Sequence, residues 1–219
     1  MNFIRIHMEN SAKKTAEYLL QIKAIKLQPS NPFTWTSGWK SPIYCDNRKT
    51  LSFPEVRSYI RDSFASLVKE LYPGAEMIAG VATGAIAHGA LAADKLGLPF
   101  IYVRSGAKEH GLGNQIEGYY EQGQKVVVIE DLISTGGSSL NAVKALREAG
   151  CEVLGMVAIF TYEFKKAFDG FAAENCTLDT LSNYSILVDT AVKTGYISRE
   201  EVETLKKWRV DPSTWGNVK

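Results

Sequence analysis

The sequence has little that would staple or anchor it. It holds three cysteines, Cys45, Cys151 and Cys176, in 219 residues. They are far apart, odd in number and without metal-ligand spacing, which argues against a disulfide framework or a cysteine-held metal. No apolar stretch approaches the ~20 residues that span a bilayer, and the opening MNFIRIHMENSAKK lacks a continuous apolar signal core. A cytoplasmic protein with no membrane partner is expected. Net charge is +1 at pH 7, so no bulk positive field recommends nucleic acid as a partner. Internal repeats, low-complexity segments and long linkers are absent too, and the length suits one domain, alone or with a small appendage.

What the chain does have is concentrated in Lys125 to Leu140, KVVVIEDLISTGGSSL. Val126, Val127, Val128 and Ile129 form an apolar β-branched run, the mark of a parallel strand covered on both faces. Glu130 and Asp131 place two carboxylates at its end. Ser134, Thr135, Gly136, Gly137 and Ser138 make a hydroxyl-rich turn, and a helix follows with apolar positions Leu140, Val143, Leu146 and Ala149, stopped by Gly150. A turn leading into a helix N-terminus is an anion site, because the first helical N–H groups lack partners and carry partial positive charge. The Gly-Lys-Ser/Thr of a P-loop is missing, and acids precede the glycines, unlike the dinucleotide fingerprint. Beside a phosphate, such acids serve something cationic: a metal-bound sugar held through its hydroxyls, or a cationic transition state.

Apolar strand, acid pair, two apolar residues and a Thr/Ser-rich glycine turn together resemble the phosphoribosyl-pyrophosphate (PRPP) motif of type I phosphoribosyltransferases. Two further stretches resemble the orotate phosphoribosyltransferases in particular. One is SGWKSPIY, residues 37–44, in an aromatic segment with Trp35, Trp39 and Tyr44. The other is the glycine-rich stretch RSGAKEHGLGNQIEG, in which Arg104, Lys108, His110 and Gly111 match the family's basic catalytic loop. Glycine-rich basic loops can close over a ligand, exclude water and bring charge to a leaving group.

The resemblance implies a type I phosphoribosyltransferase fold. Residues 1–53 would form an N-terminal helix and a small hood over the base site, and residues 54–219 the core with C-terminal helices. It implies transfer of ribose 5-phosphate from PRPP to orotate, giving orotidine 5′-monophosphate and pyrophosphate in pyrimidine synthesis. Mg²⁺ would ride on PRPP rather than sit in a protein cage. Lys108, His110 and Asp131 would be catalytic. PRPP would be held by Arg104, Lys108, His110 and the run Glu130, Asp131, Leu132, Ile133, Ser134, Thr135, Gly136, Gly137 and Ser138, with Ser134 also touching orotate. The family's loop reaches the neighbouring subunit's site, implying a homodimer.

Four positions depart from the family pattern: Thr36 and Gly84 where relatives carry lysine, Ser105 where a second basic residue is usual, and Thr161-Tyr162 where some have arginine. Two other readings stay open: an enzyme of the same superfamily using a purine or uracil, and a PRPP-sensing regulator that binds nucleic acid.

Elsewhere, periodicity and punctuation predict an α/β domain with a mainly parallel sheet. Strands are expected at 77–81, 99–103, 125–130 and 153–160, with an edge strand at 178–181. Helices are expected over 11–27 (capped by Ser11, burying Ala16, Leu19, Leu20 and Ile25, and ended by Pro29 and Pro32), 54–71, up to Gly97, 163–174, 184–193 and 199–208. The last opens on a Ser198-x-x-Glu201 capping box. His88, alone inside a helix, reads as structural, Lys40 as a basic group near the site or on the surface, and Trp208 and Trp215 as anchors for the tail.

Overall fold

A computed structural model describes residues 2–35, 38–104, 106 and 115–216, with side chains from residue 9 onward. The chain opens with α1 (Asn2–Gln21). Two small antiparallel pairs follow, formed by β1 (Ile25–Leu27) with β4 (Ile43–Cys45) and by β2 (Phe33–Thr34) with β3 (Lys40–Ser41). A 3₁₀ turn over Asn47–Ser52 leads to α2 (Pro54–Leu71). Then come β5 (Met77–Val81), α3 (Ile86–Leu96), β6 (Phe100–Val103), β7 (Ile116–Glu117), β8 (Lys125–Ile133), α4 (Gly137–Glu148) and β9 (Glu152–Thr161). The chain finishes with α5 (Lys165–Ala173), β10 (Leu178–Asn183), α6 (Tyr184–Lys193) and α7 (Glu201–Val210).

The central sheet has the order β10-β9-β8-β5-β6-β7 and is parallel except for β7. Its middle strands are apolar on both faces because helices cover both. Ile78, Val127 and Ile129 face one core with residues of α1, α2, α3, α6 and α7. Met77, Ala79, Val126 and Val128 face the other, with residues of α4 and α5. Alternation along a strand thus appears here as a division between two cores rather than between core and water.

The N-terminal expectation is corrected. Ser11 does not cap a helix; it lies within α1, its hydroxyl 3.1 Å from that of Tyr59. The helix ends at Gln21, before either proline, and Lys23 takes a left-handed φ of 55°. Ile25 then pairs with Cys45 across β1 and β4 rather than extending the helical stripe. A β-branched residue with a strand partner gains a ladder that a frayed last turn does not offer. Ala16, Leu19 and Leu20 are buried as expected. At the other end α7 begins at Glu201, and half of the capping box is made: the Ser198 N–H donates to Glu201 Oε2 at 2.9 Å.

The feature that positions the site is the unequal length of neighbouring strands. β5 pairs with β8 only as far as Gly80↔Ile129, whereas β8 stays paired to β9 through Ile133↔Thr161. Beyond Ile129 one flank of β8 has no strand beside it. The chain order also reverses there, β6 lying to one side of β5 and β8 to the other. A crevice at the carboxyl ends of the strands therefore opens at the switch point, where open α/β sheets bind ligands.

The C-terminal helices brace this crevice through Trp208. Its ring is fully buried and lies 5.7 Å from that of Trp35, 5.6 Å from Tyr162, 5.3 Å from Phe164 and 5.6 Å from Tyr184. Trp208→Ala is expected to cost about 3–5 kcal/mol. Urea denaturation followed by far-ultraviolet circular dichroism checks this; a loss under about 1 kcal/mol, the range of surface substitutions, would contradict the packing role.

Candidate active site

Asp131 lies on β8 just past the point where β5 stops pairing, and its half-buried side chain faces the crevice. Two contacts hold it. Asn47 Nδ2 donates to the Asp131 backbone carbonyl at 2.5 Å. The carboxylate lies directly against Gly84, where any Cβ would collide with all three carboxyl atoms. Glu130, one residue earlier, points the other way and is buried. Its Oε1 accepts from the Asp131 N–H at 2.9 Å and its Oε2 from Ser139 Oγ at 2.8 Å. Burial, and then the neighbouring Asp131 charge, push the Glu130 carboxyl up to about 8; the two internal hydrogen bonds oppose this.

The acid pair is therefore not symmetric. Asp131 presents its carboxylate to the crevice, while Glu130, although it reaches the crevice wall, spends both oxygens on bonds that brace β8 against α4. Of the two apolar residues that follow, Leu132 is half-buried on the wall. Ile133 is fully buried, its carbonyl accepting from the Tyr162 N–H at 3.1 Å. Ser134 and Thr135 are half-buried, and Gly137 and Ser138 are exposed at the head of α4. Gly136 caps α4 with φ of 81°, a left-handed turn that glycine adopts at little cost. The first N–H groups of α4 follow this turn without intrahelical partners, the arrangement that can receive an anion.

Two cavities meet at Leu132. The smaller, about 300 Å³, lies between the 82–84 loop and the acids and includes Arg48 and Ser138. The larger, about 600 Å³, is walled by Trp35, Trp39, Tyr44, Cys45 and Tyr162, with Thr34, Ser134 and Thr135 supplying hydroxyls. Trp35 stands 5.6 Å from Tyr162, ring to ring, and its Nε1 donates to the Ile43 carbonyl at 3.1 Å. The first cavity is polar and adjoins the N-terminus of α4; the second is walled by aromatic rings.

Arg104 follows β6, whose last residue, Val103, accepts from the Ala82 N–H of the 82–84 loop at 2.8 Å. Arg104 Nη1 is 3.6 Å from Glu117 Oε1, buried, and without a hydrogen-bond partner among the described residues. Lys108 and His110, with Ser105, Gly111, Thr36 and Ser37, lie outside the described residues. His88 is buried on α3, its Nε2 3.4 Å from Thr50 Oγ1, and burial pushes its pKa down. Thr161 is buried in β9, its hydroxyl accepting from the Glu163 N–H. Among the described residues, no group of three or more His, Cys, Asp or Glu could hold a metal ion. None of the described helices is long and apolar enough to cross a membrane.

Sequence reasoning missed three residues of this site: Asn47, Arg48 and Ser139. Asn47 and Arg48 belong to the stretch CDNR, whose proximity to β8 has no local signal, since Asn47 and Asp131 are 84 residues apart. Arg48 is held by Asp46 Oδ1 at 2.7 Å. Ser139, the third residue of α4, returns one turn to reach Glu130.

An acid-tipped strand at a sheet switch point, a glycine turn at a helix N-terminus and an adjoining aromatic cleft are the features of an α/β domain built to receive a ligand at its strand ends. Residues 53–195 match the phosphoribosyl transferase domain, and the chain belongs to that family. An orotate phosphoribosyltransferase of Porphyromonas gingivalis is 58% identical over 209 residues, covering 95% of this chain and 100% of that protein. One from Bacteroides fragilis is 59% identical over 212 residues, 97% of this chain and 100% of its own. Within the family, then, the chain is one of the orotate phosphoribosyltransferases. The crystal structure of the Aeropyrum pernix orotate phosphoribosyltransferase superposes with a TM-score of 0.72 at 26% identity, over 84% of this chain and 99% of that one.

The raised pKa of Glu130 has a sign that can be checked. Unfolded, this side chain loses its proton near 4.5; folded, it keeps it to about 8. Between these values the folded state binds more protons, so each rise in pH favours unfolding. Glu130→Gln cannot titrate. The stability of the wild type relative to this variant is expected to fall steadily from about pH 5 to pH 8 and then level off. Urea midpoints across that range test it; parallel pH profiles would contradict it.

Proposed function

We propose that the two cavities bind the two substrates of one reaction: PRPP along the acids and the 134–138 turn, and orotate in the aromatic cleft. The observation that carries this reading is their junction at Leu132, which brings a sugar seated over Asp131 next to a ring seated against Trp35 and Tyr162. Attack by the orotate nitrogen N1 forms the new C1′–N bond. The C1′–O bond breaks with its electron pair going to pyrophosphate, the N1 proton is lost, and the product is orotidine 5′-monophosphate.

In this mechanism the N–H groups of residues 136–138 and the hydroxyls of Ser134, Thr135 and Ser138 hold the 5′-phosphate, and Ser134 also touches orotate. Asp131 accepts from the ribose hydroxyls. Its negative charge favours the oxocarbenium character that develops as the diphosphate leaves, an effect strongest where the charge is already in place. Glu130 fixes the strand beneath it. Leu132 and Ile133 shape the floor between the two sites. Residues 1–53 supply the hood over the base, and residues 54–219 the core. Mg²⁺ enters as part of the substrate, on the diphosphate oxygens. A hydrated magnesium shared with phosphates needs one or two carboxylates rather than a cage, and the substrate's own oxygens would hold it. Arg104, Lys108 and His110 cover the diphosphate across a homodimer, each lid serving the partner's site. Cations that arrive on closure stabilise the departing charge more than the bound substrate. The substrates are soluble anions, and the reading places the enzyme in the cytoplasm.

Pyrophosphate release in the presence of orotate, PRPP and Mg²⁺ tests the reading. Lys108→Ala and Asp131→Ala are each expected to lose about 10²-fold or more in kcat. Random mixing of the two variants makes half the dimers hybrid, each with one site that has both an intact Asp131 and an intact lid. Activity should recover to about a quarter of wild type. No recovery would rule out sharing of the lid; turnover with uracil or hypoxanthine but not orotate would reject the acceptor.

A further inference from the structure

Orotate carries a carboxylate on the ring carbon next to the nitrogen that reacts. Enclosing that charge against aromatic walls is costly unless a cation or several donors meet it. Among the described residues that line the aromatic cleft none is charged. The nearby Arg48 is paired with Asp46, and Arg209, which lies over the Tyr184 ring, is paired with Glu163.

One ammonium is bonded to a lining residue of the cleft, Thr34. Lys40 and Thr34 are register partners across β2 and β3, and Lys40 Nζ donates to Thr34 Oγ1 at 2.8 Å. Thr34, opposite Lys40, and Trp39, the residue before it, both line the cleft, although Lys40 itself does not. The aliphatic stem of Lys40 is held from behind by the chain's C-terminal turn: a Cβ on Gly216 would stand 2.9 Å from Lys40 Cβ and 3.3 Å from its Cγ. Among the described residues Lys40 makes no ion pair with a carboxylate. A threonine hydroxyl that accepts from a lysine still has a proton to donate. Lys40 and Thr34 together therefore present a charged donor and a hydroxyl donor at the same edge of the cleft.

We infer that Lys40, acting with Thr34, is the specificity-determining cation that receives the orotate carboxylate. This role rests on the acceptor proposed above and supplies the charge that Thr36 and Thr161-Tyr162 do not. Because the ammonium is exposed, its attraction is screened by salt, which gives the proposal a signature that a structural role would lack.

The test measures KM for orotate and for PRPP, and orotate affinity by quenching of tryptophan fluorescence at low and high salt, in wild type, Lys40→Ala and Lys40→Arg. Lys40→Ala should weaken orotate binding about tenfold or more, as loss of a charge-assisted hydrogen bond does. KM for PRPP should stay within about twofold. The variant's orotate affinity should no longer depend on salt, and its preference for orotate over uracil should shrink by the same factor. Lys40→Arg, which keeps the charge, should restore most of the loss. An unchanged orotate KM in Lys40→Ala, or equal salt dependence in both proteins, would overturn the role of Lys40 and leave the acceptor standing. A wild type that does not turn over orotate would overturn both.

Discussion

Asp131 stands where it does because residue 84 has no side chain. The loop after β5 passes so close beneath the tip of β8 that the carboxylate occupies the space a Cβ would need. From the opposite side Asn47 grips the backbone carbonyl of the same residue. Asn47 thus fixes the main chain of this residue, Gly84 leaves room for its carboxylate, and charge placed in advance is what makes an electrostatic site effective. The crevice opens because β5 ends early, the helix N-terminus of α4 is capped by Gly136, and the aromatic cleft adjoins at Leu132. Each of these acquires meaning only relative to that fixed carboxylate.

The acid pair illustrates how one strand gives two identical functional groups different work. Side chains alternate across β8, so Glu130 faces α4 and Asp131 faces the crevice. Burial keeps the Glu130 proton to about pH 8. Near neutrality the pair thus carries less negative charge than its formula suggests, which lowers the repulsion that a phosphate-bearing ligand meets. Ser139 and the Asp131 N–H each donate to a Glu130 oxygen, and the retained proton faces the Asp131 carboxylate, so the buried group does not stay unpaired.

Much of this was legible in the sequence, for local reasons. Val126–Ile129 can hardly be anything but a doubly covered strand, Pro54 marks the first turn of α2, and Ser134–Ser138 read as a turn because glycine and hydroxyl residues cluster there. The acids were visible as a pair but their division of labour was not, because periodicity does not say where a strand ends: β8 runs through Ile133, and only the mismatch with β5 shows which acid meets the crevice. Asn47 was invisible for a different reason, its partner lying 84 residues away. The helix assigned to 11–27 failed because Ile25 finds a strand partner in Cys45 that no helical pattern reveals. The lid was named from motif alone, and its Lys108 and His110 lie outside the described residues.

The central claim is geometric: one fixed carboxylate sits between a phosphate turn and an aromatic cleft. It is tested most directly by a crystal structure with orotidine 5′-monophosphate bound. The account predicts the phosphate on the N–H groups of residues 136–138, the ribose hydroxyls within hydrogen-bond distance of Asp131, and the pyrimidine ring against Trp35 and Tyr162. A nucleotide whose phosphate lies away from that turn, or whose ribose leaves Asp131 without a contact, would contradict it.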